Sequence, residues 1–373
     1  MNPRVQAIPG SLIRQIAARK KPSSIDLGLG EPTLLPSREH FDYAMAHVLE
    51  RGVKYAPNAG DPQLRAAIAR HYGYPGMDAA ANVCVTAGSQ EAMYVTLLTL
   101  LDASRDELLV VEPAFPSYVK MAALGGVACR TVTMREDDGF AFDADRILAG
   151  VTAATRAIVL CSPCNPTGRV LARDQADLLA DALERRPGDP VWLVHDEIYR
   201  EQTFVDDAGY LAQRYRHTIV TNSVSKSNAL TGLRLGWILA PHEFVDQAVK
   251  AHAWVTSCTD TFAQQVAIHV FDGDALGEHA DWYAEQRRNV LAALGKHALR
   301  YAPIDGAFYA CVRLHDGAKS LDAANELIDR FDVVAIPGVA FGAALEGWLR
   351  LSWVAPIDEV REGIARIAQF VSS

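Results

Sequence analysis

The sequence lacks any long basic run and any excess of positive charge. Its 36 lysines and arginines face 45 aspartates and glutamates, which gives a net charge of −9, and the longest basic run is the short Arg19–Lys21. Nucleic-acid binding requires a basic face that neutralises phosphates, so no nucleic-acid partner is expected. A small anionic ligand needs only one or two arginines or a helix N-terminus, and this composition allows one.

Long apolar stretches are also missing. No run approaches the roughly 18 apolar residues that a membrane-spanning helix needs, and the N-terminal segment MNPRVQAIPGSLIRQ lacks the apolar core of a signal peptide. Half of the residues are apolar and 22% are charged, as in ordinary soluble globular proteins. We therefore expect a cytoplasmic protein with no membrane partner, and its 373 residues predict two or three domains.

Cysteine is scarce for a chain of this length. The six cysteines are spread over the sequence, which is not the pattern of a secreted disulfide framework. Cys161 and Cys164 have the C-x-x-C spacing of a redox dithiol or half a zinc site, but no second pair or spaced histidines complete a zinc set. We interpret them as small residues at the end of a packed strand, and no metal site is predicted.

What the sequence does contain is an alternation of short β-branched runs with longer amphipathic ones. Helical patterns cover residues 89–101 and 173–186. Several apolar runs have the length and composition of buried strands: 82–88, 107–113, 128–134, 156–163, 191–197, 217–225 and 233–240. This alternation predicts an α/β fold with a mostly parallel seven-stranded sheet that is covered by helices on both faces.

The pattern changes near residue 272. A helical pattern over 278–297 is followed by short apolar runs and by a closing amphipathic helix over 357–370, which predicts a smaller α+β domain. The N-terminal segment is rich in glycine and proline and holds no complete sheet unit, so we expect it to pack with the C-terminal part. The predicted domains are a large one over 45–272 and a small one that combines 1–44 with 273–373.

A single lysine, Lys226, stands among small polar residues directly after a predicted strand. Ligands of parallel α/β sheets bind at the carboxyl ends of the strands, so this position suits a site. Ser223, Ser225 and Arg234 supply short donors and a guanidinium fork, which a phosphate dianion requires. A lysine that can form a Schiff base beside phosphate ligands suggests pyridoxal phosphate, although this segment alone is at least as compatible with a surface lysine in a loop.

Polar residues follow other predicted strands. Asp196 ends one of them, and a carboxylate beside a pyridine nitrogen keeps that nitrogen protonated. Tyr199 and Asn165 can donate to the phenolate oxygen of the same ring. Gly88 lies between a strand and a helix start, whose free N–H groups suit a phosphate.

Two more residue types fit the same ligand and its substrate. Phe115, in EPAFPSY, offers a flat face on which a ring can stack. Arg350, in WLRLSW, is a bidentate partner for the carboxylate of an amino acid.

The order and spacing of these motifs resemble the fold-type-I, class I/II pyridoxal-phosphate-dependent aminotransferases of the aspartate aminotransferase superfamily. Each motif alone is weak, whereas their joint order over nearly the whole chain is specific. The matching motifs are LGLGEP, YAPNAGDPQLRAAIA, TAGSQEA, NPTG, DEIY, SVSKSNALTGLRLGW, GAFY, IPGVAFG and LRLSW. The resemblance implies the fold of these transferases and pyridoxal 5'-phosphate as the cofactor.

The resemblance also implies a role for each matched residue near the cofactor ring. Lys226 would hold pyridoxal phosphate as a Schiff base and would later move the proton of the substrate's Cα. Asp196 would pair with the pyridine nitrogen, and Tyr199 and Asn165 would bond the 3-oxygen. Phe115 would stack on the ring.

Other matched positions would hold the phosphate and the substrate carboxylate. Arg350, with Asn165 and the backbone of Gly30, would bind the carboxylate. Tyr55 would reach the phosphate of a neighbouring subunit, which implies a homodimer with shared active sites. The phosphate ligands would be Gly88, Ser89, Gln90, Ser223, Ser225 and Arg234, and which donors of 88–90 touch the phosphate stays open because relatives vary there.

The predicted function is transfer of an amino group from an L-amino acid to a 2-oxo acid in two ping-pong half-reactions. No further arginine is marked as the partner of a second carboxylate, which favours an apolar, aromatic or sulfur-containing donor. The candidate pocket residues are Ile8, Leu12, Leu29, Tyr55, Asn58, Trp254 and Thr256.

Two alternatives stay open at this point. The same residues serve C–S β-lyases and related lyases, which share the carbanion step but expel a leaving group. The fold also occurs as the effector-sensing module of transcription factors. The acidic charge balance and the short segment before LGLGEP argue against that module.

Overall fold

A computed structural model describes residues 1–74 and 76–372. Its strands, in chain order, are β1 (Ile25–Asp26), β2 (Val83–Thr86), β3 (Glu107–Glu112), β4 (Ala128–Thr133), β5 (Thr155–Cys161), β6 (Trp192–Asp196), β7 (Thr218–Ser223), β8 (Gly236–Leu239), β9 (Tyr309–Arg313), β10 (Val333–Val334), β11 (Ile336–Pro337) and β12 (Trp348–Ser352).

The α-helices of these residues alternate with the strands over much of the chain. In order they are α1 (Pro3–Gln6), α2 (Leu12–Ala17), α3 (Arg38–Arg51), α4 (Pro62–Tyr72), α5 (Ala79–Asn82), α6 (Ser89–Leu100), α7 (Ser117–Gly125), α8 (Ala144–Ala149), α9 (Arg173–Glu184), α10 (Val224–Ser227), α11 (His242–Val255), α12 (Thr261–Asp272), α13 (Ala280–Lys296), α14 (Ser320–Phe331) and α15 (Ile357–Ser372).

Strands β2 to β8 form one sheet of seven strands in the order β2-β8-β7-β6-β5-β3-β4. Strand β8 runs antiparallel to both of its neighbours, and the other pairs are parallel. Every residue of β2, β6, β7 and β8 is buried, as expected for strands of a sheet that is covered on both faces. The predicted α/β fold with a mostly parallel seven-stranded sheet is therefore confirmed.

The carboxyl ends of the central strands meet at one edge of this sheet. The register pairs Cys161 of β5 with Asp196 of β6, and Asp196 with Thr221 of β7. Asn165 follows β5 and Lys226 follows β7, so the sheet brings both to the edge where Asp196 lies. This is the edge at which parallel α/β sheets bind their ligands.

The helices expected from periodicity are present as α6, α9, α13 and α15. The last shows why the sequence folds in this way, because Val360, Ile364 and Ile367 recur at helical spacing and are all buried. None of the helices in the two described stretches combines the length and the apolarity that crossing a bilayer requires.

Two smaller sheets involve the chain ends. Strands β11, β12 and β9 form an antiparallel sheet in that order, in which Arg350 of β12 faces Ile336 and Cys311. Strand β1 pairs in parallel with β10, with Ile25 opposite Val333. The N-terminal segment thus packs with the C-terminal part of the chain, which supports the proposed small domain.

The predicted domain boundary between residues 44 and 45 falls inside α3. This helix packs on α12, where the rings of Phe41 and Phe262 lie 6.3 Å apart, and Ala44 is fully buried in the same apolar cluster. Since a helix moves as one unit with the core it buries, we propose the two-domain division with α3 assigned to the large domain.

The C-x-x-C pair lies where a strand ends, and both thiols are buried and free. Burial raises the pKa of the Cys161 and Cys164 thiols, which is the reverse of what a reactive dithiol needs. In residues 1–74 and 76–372, no group of three or more His, Cys, Asp or Glu side chains is arranged to hold a metal ion. The structure thus agrees with the interpretation of this pair as packed small residues.

Candidate active site

Lys226 lies on the single-turn helix α10, directly after β7. Its Nζ donates a hydrogen bond of 2.6 Å to the carbonyl oxygen of Gly30 and lies 5.8 Å from the centre of the Phe308 ring. Burial lowers the pKa of this amine to about 8; Glu31 opposes the shift, and the guanidinium groups of Arg350 and Arg234 add to it. With this pKa, roughly a tenth of the Lys226 amine is neutral and nucleophilic at pH 7, far more than for an ordinary exposed lysine.

Asp196 is buried at the end of β6, with 8% of its surface exposed. Its Oδ2 accepts a hydrogen bond of 2.6 Å from the Tyr118 hydroxyl, and its Oδ1 accepts from the Ile198 N–H and the Thr221 hydroxyl, each over 3.3 Å. Burial raises the pKa of Asp196 to about 6, and these hydrogen bonds limit the rise. A carboxylate held in this way favours a cation facing it.

Asn165, Tyr199, Tyr309 and Arg350 form one connected polar network. The Asn165 amide donates to the Tyr199 hydroxyl over 3.5 Å, and the hydroxyls of Tyr199 and Tyr309 lie 2.9 Å apart. Arg350 Nη1 donates to Asn165 Oδ1 over 3.2 Å. The structure thus brings together three residues that the sequence placed in one site.

Arg350 is a buried cation that has no acidic partner among the residues the structure describes. Only 2% of its surface is exposed, and its guanidinium lies between the rings of Tyr309, at 4.5 Å, and Phe341, at 4.8 Å. Its Nη2 donates to the carbonyl oxygen of Gly28, while its Nε has no hydrogen-bond partner among the described residues. Within the same residues it forms no ion pair. A desolvated guanidinium fork in this state is suited to a carboxylate ligand.

The turn before α6 forms a cradle for an anion. Gly88 caps this helix with φ of +80° and no side-chain capping bond, and the N–H groups of Ser89, Gln90 and Glu91 find no acceptor in the described part of the chain. The Arg234 guanidinium lies against the turn, since a Cβ on Gly88 would be 2.6 Å from its Nη2. Free N–H groups of a helix beside a guanidinium suit a phosphate.

Arg234 reaches this turn from an unusual backbone conformation. Its φ is +55°, which is uncommon for a residue with a Cβ, and its Nη1 donates to the Thr231 carbonyl over 2.7 Å. The strained backbone and the hydrogen bond together hold the guanidinium in place.

The remaining predicted phosphate ligands have partners of their own in the chain. Ser223 caps α10, since its hydroxyl accepts the N–H of Ser225 over 3.1 Å. The exposed Gln90 side chain donates to the Ser117 hydroxyl over 3.1 Å. Ser225 is buried and Ser89 is half-buried at the helix start. Phosphate contacts by these four side chains stay predictions.

Three further predicted residues differ in their surroundings. Phe115 is half-buried and packs edge to face with Tyr118, their ring centres 6.3 Å apart. A Cβ on Gly30 would lie 2.0 Å from the Tyr309 hydroxyl, so only glycine fits there. Tyr55 is 91% exposed and does not join the site within one chain.

The proposed pocket residues differ in how far they are buried. Leu12 and Leu29 are partly buried against the main core. Asn58 donates to the Ser257 carbonyl over 2.6 Å, and Trp254 is 92% exposed. The other members are the half-buried Ile8 and the exposed Thr256, whose hydroxyl donates to Glu91.

Among the residues that contact this site and that sequence reasoning missed are Tyr118, Tyr309 and Gly28. All three lie inside motifs that were noted, EPAFPSY, GAFY and LGLGEP. The motifs indicated the segments, but the atoms that these residues touch depend on how distant elements cross.

This fold and these residues define the class of the protein. Residues 22–367 match the family model described as aminotransferase class I and II, so the chain belongs to that family. The family uses pyridoxal phosphate. The chain is accordingly an aminotransferase, a transferase enzyme.

Individual aminotransferases are similar to this chain over nearly its whole length. An aspartate aminotransferase of Pyrococcus horikoshii is 32% identical, and the match covers 98% of this chain and 95% of the relative. The aromatic-amino-acid aminotransferase 2 of Thermococcus litoralis is 30% identical over 98% of this chain and 97% of the relative. The solved structure of aspartate aminotransferase from Thermus thermophilus with maleate is 28% identical, with a TM-score of 0.90 and 99% of each chain covered.

Proposed function

We propose that this chain binds pyridoxal phosphate at Lys226 and transfers amino groups between L-amino acids and 2-oxo acids in ping-pong half-reactions. The observation that carries the proposal is the buried Lys226 amine, whose pKa is lowered to about 8. It lies at the sheet edge with a buried carboxylate, Asp196, and a buried guanidinium, Arg350, which forms no ion pair within the described stretches. When bound, the cofactor supplies an electron sink for the negative charge that develops at the substrate's Cα.

The donors and acceptors of the site fit this cofactor. Asp196, whose buried carboxylate favours a cation, would face the pyridine nitrogen. Tyr199 and Asn165 would face the 3-oxygen, and Phe115 would stack on the ring. The phosphate would be held by the free N–H groups at the start of α6 and by the side chains of Ser89, Gln90, Ser223, Ser225 and Arg234.

Residues of the chain act on the substrate in two ways. Arg350, with Asn165 and the backbone of Gly30, binds the α-carboxylate and thereby fixes the direction of the Cα–H bond. Lys226 Nζ takes the proton from Cα, a task suited to an amine whose pKa lies near neutrality.

Chemical trapping tests the lysine assignment. Sodium borohydride reduces a Schiff base to a stable amine, so treating the protein with pyridoxal phosphate and borohydride should label the peptide that contains Lys226. We expect Lys226→Ala to lose this label and turnover, while the exposed control Lys250→Ala keeps both. Label on a different lysine, or wild-type turnover in Lys226→Ala, would show that the assignment is wrong.

The second candidate reaction is β-elimination, which the same lysine could start. The aminotransferases among the relatives favour transamination. With cystathionine as substrate, release of pyruvate and thiol reports elimination, whereas formation of a new amino acid from an added 2-oxo acid reports transamination. We expect the second result to dominate.

For the donor, we propose an apolar, aromatic or sulfur-containing amino acid. Leu12 and Leu29, partly buried and apolar, support this choice as pocket walls, and so does the relative named for aromatic amino acids. The relative named for aspartate favours a dicarboxylic donor instead. A kinetic panel of amino acids decides between them, and turnover of aspartate and glutamate alone would contradict our choice.

We further propose a homodimer in which Tyr55 of one subunit reaches the phosphate site of the other. Tyr55 and Trp254 are large apolar residues that are 91% and 92% exposed. Their segments are tied together, because Asn58 donates to the Ser257 carbonyl and Thr261 to the Lys54 carbonyl, each over 2.6 Å. Large aromatic side chains that are exposed on linked segments support burial of this region against a second subunit.

Analytical ultracentrifugation tests the dimer. Trp254→Glu places a charge in the proposed interface, so it should yield monomers and weaken cofactor binding. Exposed Leu178→Glu, on α9, serves as the control and should leave the dimer intact. A wild-type monomer that binds the cofactor tightly would contradict the shared site.

The cytoplasmic location is proposed from the cysteines. All six are free in the structure, which suits a reducing compartment.

A further inference from the structure

Glu91, in the first turn of α6, has a side chain that turns back toward the strand before its helix. One carboxylate oxygen, Oε2, accepts the backbone N–H of Ala87. The other, Oε1, accepts from the Thr256 hydroxyl and lies 3.1 Å from Nδ1 of His252. Only 9% of the Glu91 side chain is exposed, and the His252 side chain is fully buried.

This arrangement leaves the helix start open. A glutamate at the third helical position usually reaches the N–H of the capping residue, here Gly88. The Gly88 N–H instead bonds the Thr86 carbonyl over 2.8 Å, and Glu91 takes the N–H one residue earlier. The N–H groups of Ala87 and Gly88 therefore both have acceptors, and the N–H groups at positions 89–91 remain free.

The turn is also fixed from its other sides. The Thr86 hydroxyl donates to the Gly88 carbonyl over 3.1 Å. A Cβ on Gly236 would lie 2.6 Å from the Gly88 carbonyl carbon, so the backbone of β8 packs directly against the turn. Arg234 packs against Gly88 as described above. The carboxylate of Glu91 is the anchor that joins this turn to α11 and the segment that follows it.

Burial alone would raise the pKa of Glu91, but its hydrogen bonds from His252, Thr256 and Ala87 more than offset this, and the pKa is lowered. The side chain is thus a charged acceptor. Its two carboxylate oxygens bond Ala87, His252 and Thr256. The free N–H groups of residues 89–91 therefore stay available to an anion.

We propose that Glu91 is a positioning residue for the phosphate of the cofactor. By anchoring Ala87 to α11, it holds the φ of Gly88 so that the free N–H groups of α6 and the Arg234 guanidinium converge on one oxyanion. The inference rests on the proposed binding of pyridoxal phosphate.

The test compares two ligands that differ only in the phosphate. Dissociation constants of pyridoxal phosphate and of pyridoxal are measured by absorbance titration for the wild type, Glu91→Ala and Glu91→Gln. We expect Glu91→Ala to weaken pyridoxal phosphate about tenfold, the effect of one charge-assisted hydrogen bond, and to leave pyridoxal unchanged. Glu91→Gln should lose less, because an amide oxygen still accepts the Ala87 N–H.

Asp174→Asn alters an exposed carboxylate in the first turn of α9 and should change neither constant. If Glu91→Ala fails to fold, the same two constants measured for Glu91→Gln and the wild type test the role, with a smaller loss expected for pyridoxal phosphate and none for pyridoxal. Equal weakening of both ligands, or no weakening, would overturn the positioning role alone. A wild type that binds neither ligand would overturn the proposed cofactor as well.

Discussion

The hydroxyl of Tyr118 donates a hydrogen bond of 2.6 Å to Oδ2 of Asp196, across 78 residues of sequence. This bond joins the first turn of α7 to the end of β6. Burial raises the pKa of Asp196 to about 6, and the bond from Tyr118 acts against that rise. Tyr118 therefore affects how readily Asp196 is charged, and only the charged form can pair with a protonated pyridine.

Tyr118→Phe should shift the loss of cofactor affinity at low pH to a higher pH. The charged form of Asp196 is lost as the pH falls through its pKa, so wild-type affinity should decrease below about pH 6. Removing a hydrogen bond that stabilises the anion raises the pKa, and the decrease should begin at a higher pH in the variant. At neutral pH we expect about tenfold weaker binding, roughly 1.4 kcal/mol.

The measurement is a titration with pyridoxal phosphate between pH 5 and pH 8. Tyr301→Phe removes a half-buried hydroxyl at the small sheet and should reproduce the wild-type curve. An unchanged acid limb in Tyr118→Phe would contradict the role of this bond.

Lys226 should give a second pH effect, in the same direction but at higher pH. Only the neutral amine forms a Schiff base, so its rate of reaction with pyridoxal phosphate should rise as the pH increases through about 8. Because Glu31 raises the pKa of Lys226, Glu31→Gln should lower that pKa and shift the midpoint to lower pH.

Stopped-flow absorbance on the cofactor-free protein measures these rates. The titration of the cofactor itself is common to both proteins, so the difference in midpoint reports Lys226. Glu39→Gln, an exposed change in the first turn of α3, should leave the midpoint in place. A shift of the Glu31→Gln midpoint to higher pH would show that the sign is wrong.

Arg350→Lys should impair the use of amino acids more than it impairs the fold. A lysine can make neither the two-pronged bond to a carboxylate nor both contacts of Arg350, to Asn165 Oδ1 and to the Gly28 carbonyl. We expect kcat/KM for amino-acid donors to fall about 100-fold, roughly 2.7 kcal/mol.

The matched substrate is a primary amine without a carboxylate, whose slow reaction should change little in Arg350→Lys. Arg361→Lys alters an exposed arginine of α15 and should act as the wild type. If both kinds of substrate lost activity equally, Arg350 would be a structural residue and not the carboxylate ligand.

The sequence was informative wherever a local pattern decides the outcome. Buried β-branched runs predicted the strands of the central sheet, and the rule that ligands bind at strand ends indicated Asp196, Asn165 and Lys226. The register of β5, β6 and β7 confirms that these positions share one edge of the sheet. Parallel pairing makes such an outcome almost inevitable once the strands are correctly identified.

Contacts that depend on tertiary crossings could not be predicted in this way. The hydrogen bonds of Tyr118 with Asp196 and of Glu91 with Thr256 depend on how α7 and α11 pack against the rest of the protein. The predicted domain boundary fell inside α3 for a related reason. The buried face of α3 packs on α12, which lies far along the chain. A sequence pattern shows that a face is apolar, but it does not show which partner covers it.

Near the edge of the large sheet at which Asp196 lies, Arg200 and Glu197 form a buried ion pair that should be decisive for stability. Arg200 Nη1 lies 2.6 Å from Glu197 Oε2, with side chains 15% and 0% exposed. The guanidinium also lies 3.8 Å from the centre of the Tyr210 ring and 4.9 Å from that of Tyr72. Burial alone would raise the pKa of Glu197, but Arg200 and His195 hold it below its ordinary value.

Arg200→Leu should therefore lower the free energy of unfolding by about 3–5 kcal/mol, because it leaves a buried carboxylate without its guanidinium. Arg185→Leu breaks an exposed pair with Asp181, 73% and 71% exposed, and should cost about 0–1 kcal/mol. Urea unfolding of both variants at pH 8 and pH 5 separates the cases. In Arg200→Leu the pKa of Glu197 is raised, so protonation relieves the buried charge as the pH falls, and the deficit should be smaller at pH 5. Equal small losses in both variants would show that the ion pair of Arg200 and Glu197 is not decisive for stability.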